Sequence, residues 1–153
     1  MTKQVSYCRP DDSLERAARL MWDGDCGCLP VCVDDGVNRA TGMITDRDIC
    51  MSALFEARPL RDIPVSAAMA RKVVTCQPGD ELPAIEKVMR DARVRRLPVI
   101  DGQGALVGII TLADITREAA KERTIGTRFV ADSEVRETLY AICKPEGNAR
   151  EVA

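Results

Sequence analysis

The chain is 153 residues long with a formal charge of −2, enough for one compact domain or two small halves packed as one unit. That balance gives no general pull toward nucleic acid or an anionic membrane, and acids interrupt every basic run. Histidine is absent, which excludes Ser-His-Asp and Cys-His catalysis and removes the commonest zinc ligand.

The N-terminal "MTKQVSYCRPDDS" lacks the apolar core of a secretory signal, and no apolar run approaches the roughly 20 residues of a membrane helix. A cytoplasmic location is expected. Val5 to Cys8 is a short β-prone run ended by a proline turn. Asp12 stands where a helix N-cap belongs, and Leu14, Ala17, Ala18 and Met21 follow at helical spacing. "LPVCV" begins a strand behind its proline, "DDG" turns the chain back, "TGMIT" forms the next strand, and a helix starts after Thr45. "ARPLRDIPVSAAMARK" reads as a connector with a short helical turn around Ser66 to Met69.

The series then repeats. Val73 to Cys76 is again β-prone, Asp80 again stands at a cap position, and Leu82, Ile85 and Met89 keep the helical spacing. Pro83 falls in the first helical turn, where its missing N–H is harmless. "LPVI", "DGQG" and "LVGIIT" give strand, turn and strand, and a helix follows Thr111. Cys8, Pro10, Met21, Leu29, Pro30 and Gly36 recur 68 positions later as Cys76, Pro78, Met89, Leu97, Pro98 and Gly104. The offset falls to 66 at Thr45/Thr111 and Asp48/Asp114, so the first copy carries two extra residues in its turn. Each copy therefore reads β-α-β-β-α. Val135, Leu139 and Ile142 suggest one face of a last helix, and "KPEGNAREVA" a frayed end.

Thr and Asp are fixed in "GMITDRDIC" and "GIITLADIT", a T-x-x-D at each strand-to-helix junction. One reading is a capping box, in which Thr caps the helix and the acid returns a hydrogen bond. The other is a grip on a sugar diol: the carboxylate accepts from both ribose hydroxyls while the helix N-terminus favours a nearby phosphate. The two are compatible.

Taken together, an h-h-P strand, a glycine turn and G-h-h-T-x-x-D-h, present twice, resemble the cystathionine β-synthase (CBS) domain. The tandem copy resembles a CBS-domain pair, or Bateman module, over roughly residues 5–118. The resemblance implies an α/β (α+β) fold of two CBS repeats, at 1–62 and 63–121, packed with pseudo-twofold symmetry, and a C-terminal helix and tail over 122–153. It also implies clefts for AMP, ATP or S-adenosylmethionine, with no cofactor required. In one cleft Met43, Thr45 and Asp48 would join Val74, Arg95, Arg96 and Pro98, with Thr45 and Asp48 on ribose and the arginines on phosphate. In the other, Ile109, Thr111 and Asp114 would join Ser6, Gly27, Cys28 and Pro30. There "GCLP" replaces "RRLP", so phosphate binding is weaker on that side. The arginines of "RDARVRR" also read as solvated residues at a helix C-terminus. Arg47 is a further candidate phosphate contact, or a partner of Asp46.

Seven cysteines cannot all pair within one chain. "CGC" with Cys32 lacks the second C-x-x-C of a zinc knuckle. Cys50 and Cys76 read as buried free thiols, and Cys143 as exposed. Cys8 and Cys32 fall near the ends of two strands of one half, so a contact or disulfide is expected there, with Ile100 replacing Cys32 in the second half. The expectation is a regulatory ligand-sensing module that forms a homodimer and acts on a protein partner in trans. The competing expectation is a ligand-independent interaction or stress protein whose cysteines set its state. No base–nucleophile pair supports an enzyme.

Overall fold

In the computed structural model, which describes residues 1–3, 5–125 and 132–144, the order of elements is that of two copied halves. The contacts divide the chain into two compact units. One comprises residues 2–78 and 98–109; the other comprises Met1, 79–97 and 110 onward.

In the first of these units helix α1 (Leu14–Asp23) buries Leu14, Ala17 and Met21 on one side. Its cap is Ser13 rather than Asp12. Ser13 has the extended backbone of a cap, and its hydroxyl accepts from Arg16 N at 3.2 Å. Asp12, one residue further out, accepts from Arg9 N at 2.8 Å and pairs with Arg16 at 3.1 Å. Strands β1 (Cys28–Val33) and β2 (Arg39–Thr45) run antiparallel, with Cys28 opposite Thr45 and Val31 opposite Gly42. A bulge between Val31 and Cys32 leaves Thr41 unpaired in the ladder and takes up one of the extra residues of the first copy. Helix α2 (Asp46–Glu56) follows without a gap and buries Ile49.

The stretch expected as a connector is part of this core. Ile63 and Val65 are fully buried, Leu14 N donates to Ile63 O at 2.9 Å, and Val65 N donates to Asp12 O at 2.8 Å. They pack with Leu14, Leu29, Val31 and Ile44. The short helix α3 (Val65–Ala68) begins one residue earlier than expected. Beyond it, Ala70 exchanges two backbone hydrogen bonds with Met43, at 2.8 and 3.0 Å. Gly42 permits that approach, because a Cβ there would stand 2.9 Å from Met69 Sδ and 3.1 Å from Ala70 O. Ile109 makes the equivalent exchange with Thr2, at 3.0 and 2.9 Å.

The expected strands Val5–Cys8 and Val73–Cys76 are reduced to single parallel bridges, Cys8 to Val31 and Cys76 to Val99. One bridge each suffices because the proline turn follows at once. Strands β3 (Arg96–Ile100) and β4 (Leu106–Thr111) form a second two-stranded sheet, closed by the turn in which Asp101 N donates to Ala105 O at 3.0 Å.

The other unit is mainly helical. Helix α4 (Leu82–Ala92) buries Ile85, Glu86 and Met89, with Pro83 in its first turn. Its cap position is Glu81, not Asp80, and no side chain caps it. Helix α5 is Leu112–Ile125, and helix α6 (Asp132–Cys143) packs against α4. The inward face of α6 is Thr138 flanked by half-buried Val135 and Ile142, rather than one including Leu139, which is 46% exposed. Thr138 is fully buried, and its hydroxyl accepts from Arg90 Nη1 at 3.1 Å. A short hydroxyl side chain at that position lets α4 come close and gives its arginine an acceptor. The expected frayed end beyond Lys144 lies outside the described residues. The class is α+β, as expected.

Candidate functional site

Both T-x-x-D segments fold the same way. Thr45 ends β2 in extended conformation, and Asp48 is the third residue of α2. Asp48 Oδ2 accepts from Thr45 N at 2.9 Å and from Thr45 Oγ1 at 2.7 Å, while Asp48 N donates back to Thr45 Oγ1 at 3.2 Å. At Thr111 and Asp114 the same three bonds measure 2.9, 2.8 and 3.2 Å. Each is a complete capping box, so the amide of the threonine and that of the third helical residue are both satisfied within the chain.

The boxes differ in their second carboxylate oxygen. Asp114 Oδ1 accepts from Arg117 Nη2 at 2.5 Å, an ion pair one turn along α5. At the 66-residue offset the position of Arg117 is held in the first repeat by Met51. Among the described residues no bond to Asp48 Oδ1 is present, and Asp48 is half-buried. Burial raises the carboxyl of Asp114, but the hydrogen bonds from Thr111 and Arg117 outweigh it and hold the group below its ordinary range. The first junction therefore presents an acceptor with a free oxygen, and the second an acceptor already engaged.

The approach to each helix start also differs. Asp46 N donates to Gly27 O at 3.2 Å, and a Cβ on Gly27 would lie 2.9 Å from Asp46 Oδ2. At the matching place in the second repeat, Leu112 N donates to Arg95 O at 2.8 Å. Here Arg95 stands for Gly27 and Leu112 for Asp46, so the close approach of a carboxylate to a glycine belongs to the first repeat.

The remaining expected site residues are distributed as follows. Met43, Thr45, Asp48, Val74, Pro98 and Ile109 lie in one compact unit, together with Ser6, Gly27, Cys28 and Pro30; Arg95, Arg96, Thr111 and Asp114 lie in the other. Cys28, Pro30 and Pro98 are buried, Met43, Val74 and Ile109 half-buried, and Ser6 exposed. Arg95 is exposed just before β3, and Arg96 is half-buried as the first residue of that strand. Arg93 takes a left-handed conformation (φ 52°) that ends α4, so the run leaves regular strand geometry before the two arginines. Arg47 is exposed, and its backbone N donates to Asp46 Oδ1 at 2.7 Å. Sequence reasoning missed Arg117; its signal was the i, i+3 spacing from Asp114.

All seven cysteines are free. Cys8 and Cys32 are neighbours through the backbone, Cys32 N donating to Cys8 O at 2.9 Å. No disulfide joins them. Both are buried, and burial, aided by Asp12 and Cys32, pushes the Cys8 thiol from 9.0 up to about 12. Burial and Asp35 push Cys32 up to about 11. A protonated thiol is a poor nucleophile, so burial disfavours thiolate exchange at both sulfurs. Cys76 is buried and Cys143 exposed, as expected, whereas Cys50 is exposed because it lies on the outer side of α2, one residue beyond buried Ile49. Among the described residues no group of three or more Cys, Asp or Glu side chains converges as a metal site.

The CBS domain model matches residues 1–54 and 60–121. The chain belongs to the CBS-domain family. CBS domain-containing protein YhcV of Bacillus subtilis is 35% identical over 127 residues, covering 83% of this chain and 87% of that protein. Hypoxic response protein 1 of Mycobacterium tuberculosis is 32% identical over 145 residues, 95% of this chain and 92% of that one. The crystal structure of CBSX2 in complex with AMP superposes with a TM-score of 0.69 at 24% identity, over 80% of this chain and 94% of that chain, a likeness of fold. As in such pairs, the CBS motif occurs here twice, and no helix among the described residues is long and apolar enough to cross a membrane.

Proposed function

We propose that this CBS pair is a cytoplasmic regulatory module that binds an adenosine-containing ligand (AMP, ATP or S-adenosylmethionine) by affinity and without turnover. The observation that carries the proposal is the Thr45–Asp48 junction. Its capping box is complete through Oδ2, which leaves Asp48 Oδ1 as an acceptor for a ribose diol. AMP in the related CBSX2 fold supports the choice of ligand class. Met43, Val74 and Pro98 supply apolar surface for adenine, and Arg95 and Arg96 serve the phosphate; these roles follow the family pattern. The Thr111–Asp114 junction, with Ile109, is the weaker site because Arg117 occupies Asp114 Oδ1. The module works as a homodimer and passes its state to a protein partner in trans.

Isothermal titration with AMP, ATP and S-adenosylmethionine tests the reading, and binding by at least one of them that Asp48→Ala weakens is the expected result. Absence of binding by all three favours a second reading, a ligand-independent interaction protein. The observation behind that alternative is that both boxes close within the chain and need no ligand.

A further inference from the structure

Between α1 and α2 lies a cavity of about 490 Å³, a volume that suits a small molecule. Its floor is buried Met21 and Ile49 with half-buried Ala18, and its outer wall is Trp22, 87% exposed. Met21 and Ile49 recur in the second copy as Met89 and Ile115, so these two floor residues belong to the fold. The rim does not. At the same offsets Trp22, Asp25, Gly27 and Asp46 are replaced by Arg90, Arg93, Arg95 and Leu112. Asp25 holds a left-handed conformation (φ 45°) in which its N donates to Trp22 O at 3.2 Å, tying it to the last turn of α1. Gly27 lets Asp46 lean over the entry to β1, since a Cβ there would stand 2.9 Å from Asp46 Oδ2. Both aspartates are exposed at the cavity. Among the described residues neither forms an ion pair, and no lysine or arginine lines the cavity.

We propose that this cavity is a binding site for a small organic cation with an apolar body, an alkyl- or arylammonium. The floor takes the hydrocarbon, the indole of Trp22 attracts the positive charge, and the two carboxylates balance it. A phosphate brought here would meet two carboxylates and no cationic side chain, so the nucleotides proposed above carry the wrong charge for it. Neither Thr45 nor Asp48 lines the cavity, and the site stands apart from the adenosine reading and does not rest on it. Fold conservation accounts for Met21 and Ile49, but it does not account for a tryptophan and two unpaired acids on the rim of one copy alone.

Cys26 and Cys50 line the cavity and Cys143 does not, and all three are exposed thiols. Benzyltrimethylammonium is the probe, and iodoacetamide alkylation of the full chain, read by mass spectrometry, reports where it sits. The expected result is slower alkylation of Cys26 and Cys50 with Cys143 unchanged, and a saturable change in the emission of Trp22, the sole tryptophan. Benzyl alcohol and benzoate, its neutral and anionic counterparts, should protect far less. The double change Asp25→Asn/Asp46→Asn should raise the concentration needed for protection roughly tenfold, and Trp22→Leu roughly threefold or more. Both variants should keep the native circular dichroism, because the three side chains are exposed. Equal protection by benzyl alcohol or benzoate overturns the proposal. So does a double variant protected like the wild type, or no protection by the cation at millimolar concentration.

Discussion

The Thr45–Asp48 and Thr111–Asp114 junctions are the same structure to within a tenth of an ångström in their capping bonds, yet they offer different chemistry. Duplication preserved what folding needs, a strand end that caps a helix. It left free what folding does not need, the second oxygen of the aspartate. In one copy a methionine stands one turn on and the oxygen is open; in the other an arginine takes it. A motif match alone treats the copies as equal. Their neighbours one helical turn away do not.

The largest expected difference between the copies lies in alkaline stability and belongs to the first. Cys8 and Cys32 both carry raised thiol values, about 12 and 11 against 9.0, while the second copy has Cys76 opposite Ile100. A raised acid favours the folded state over the protonated range, so this contribution is intact below pH 9. It is lost as pH rises from there toward the folded values, because the unfolded thiols ionise first. Each unit of difference corresponds to about 1.4 kcal/mol. Urea unfolding at pH 8 and pH 10.5 should show a steeper loss for the wild type than for Cys8→Ala/Cys32→Ala. Equal losses would mean that the thiol pair is not the source.

Next in size is the effect on ligand affinity. Asp48→Ala removes the open acceptor and should lower nucleotide affinity at least tenfold, about 1.4 kcal/mol, whereas Asp114→Ala should change it less than about twofold. Titration calorimetry showing the reverse order breaks the comparison. Arg96→Ala should weaken AMP binding more than adenosine binding, since a guanidinium–phosphate bond is charge-assisted. An equal loss for both ligands would remove Arg96 from the phosphate. Both capping boxes should still contribute to stability, so each Asp→Ala change should also cost about 1 kcal/mol in thermal or urea unfolding.

Much of this was legible in the sequence, for reasons that can be named. The repeat offset located α4, β3, β4 and α5 of the second copy from the first, and T-x-x-D announced the capping boxes. Three things were not legible. Ile63 and Val65 sit in a proline- and arginine-rich stretch whose composition reads as linker, yet they are fully buried because Ile63 O and Val65 N tie that stretch to the start of α1. The α1 cap fell to Ser13, whose backbone is extended and whose hydroxyl accepts from Arg16 N, while Asp12 engages Arg9 N and the Arg16 side chain. Cys50 looked like a core thiol, but α2 buries only Ile49 of its residues, so the face on which a cysteine lands cannot be read from an apolar run. The engagement of Asp114 by Arg117 was visible as spacing, and its meaning appears only beside the unengaged Asp48.

The smallest expected effect is also the most specific. If an arginine one turn along the helix is what separates the two junctions, exchanging it should exchange their behaviour. Met51→Arg places a guanidinium three residues after Asp48, where the i, i+3 geometry of Asp114 and Arg117 shows that it reaches Oδ1. Arg117→Met frees Asp114 Oδ1 and leaves the Thr111 bonds in place. The Arg117 pair is exposed on the arginine side, so its removal should cost well under about 1 kcal/mol of stability. The sign of its pH dependence is also fixed. Asp114 is held below its ordinary range, so it stabilises the fold above that range and the contribution is lost as the carboxyl protonates on acidification. Arg117→Met should therefore flatten the loss of stability on the acid side. In calorimetry Met51→Arg should reduce nucleotide affinity a few-fold at the first junction, by competition of the new ion pair with the ribose hydroxyls. Arg117→Met should raise the affinity of the second by a similar factor, most visibly for uncharged adenosine. Should both variants bind like the wild type, the second carboxylate oxygen does not decide between the copies, and the difference lies in Gly27 against Arg95 at the helix starts instead.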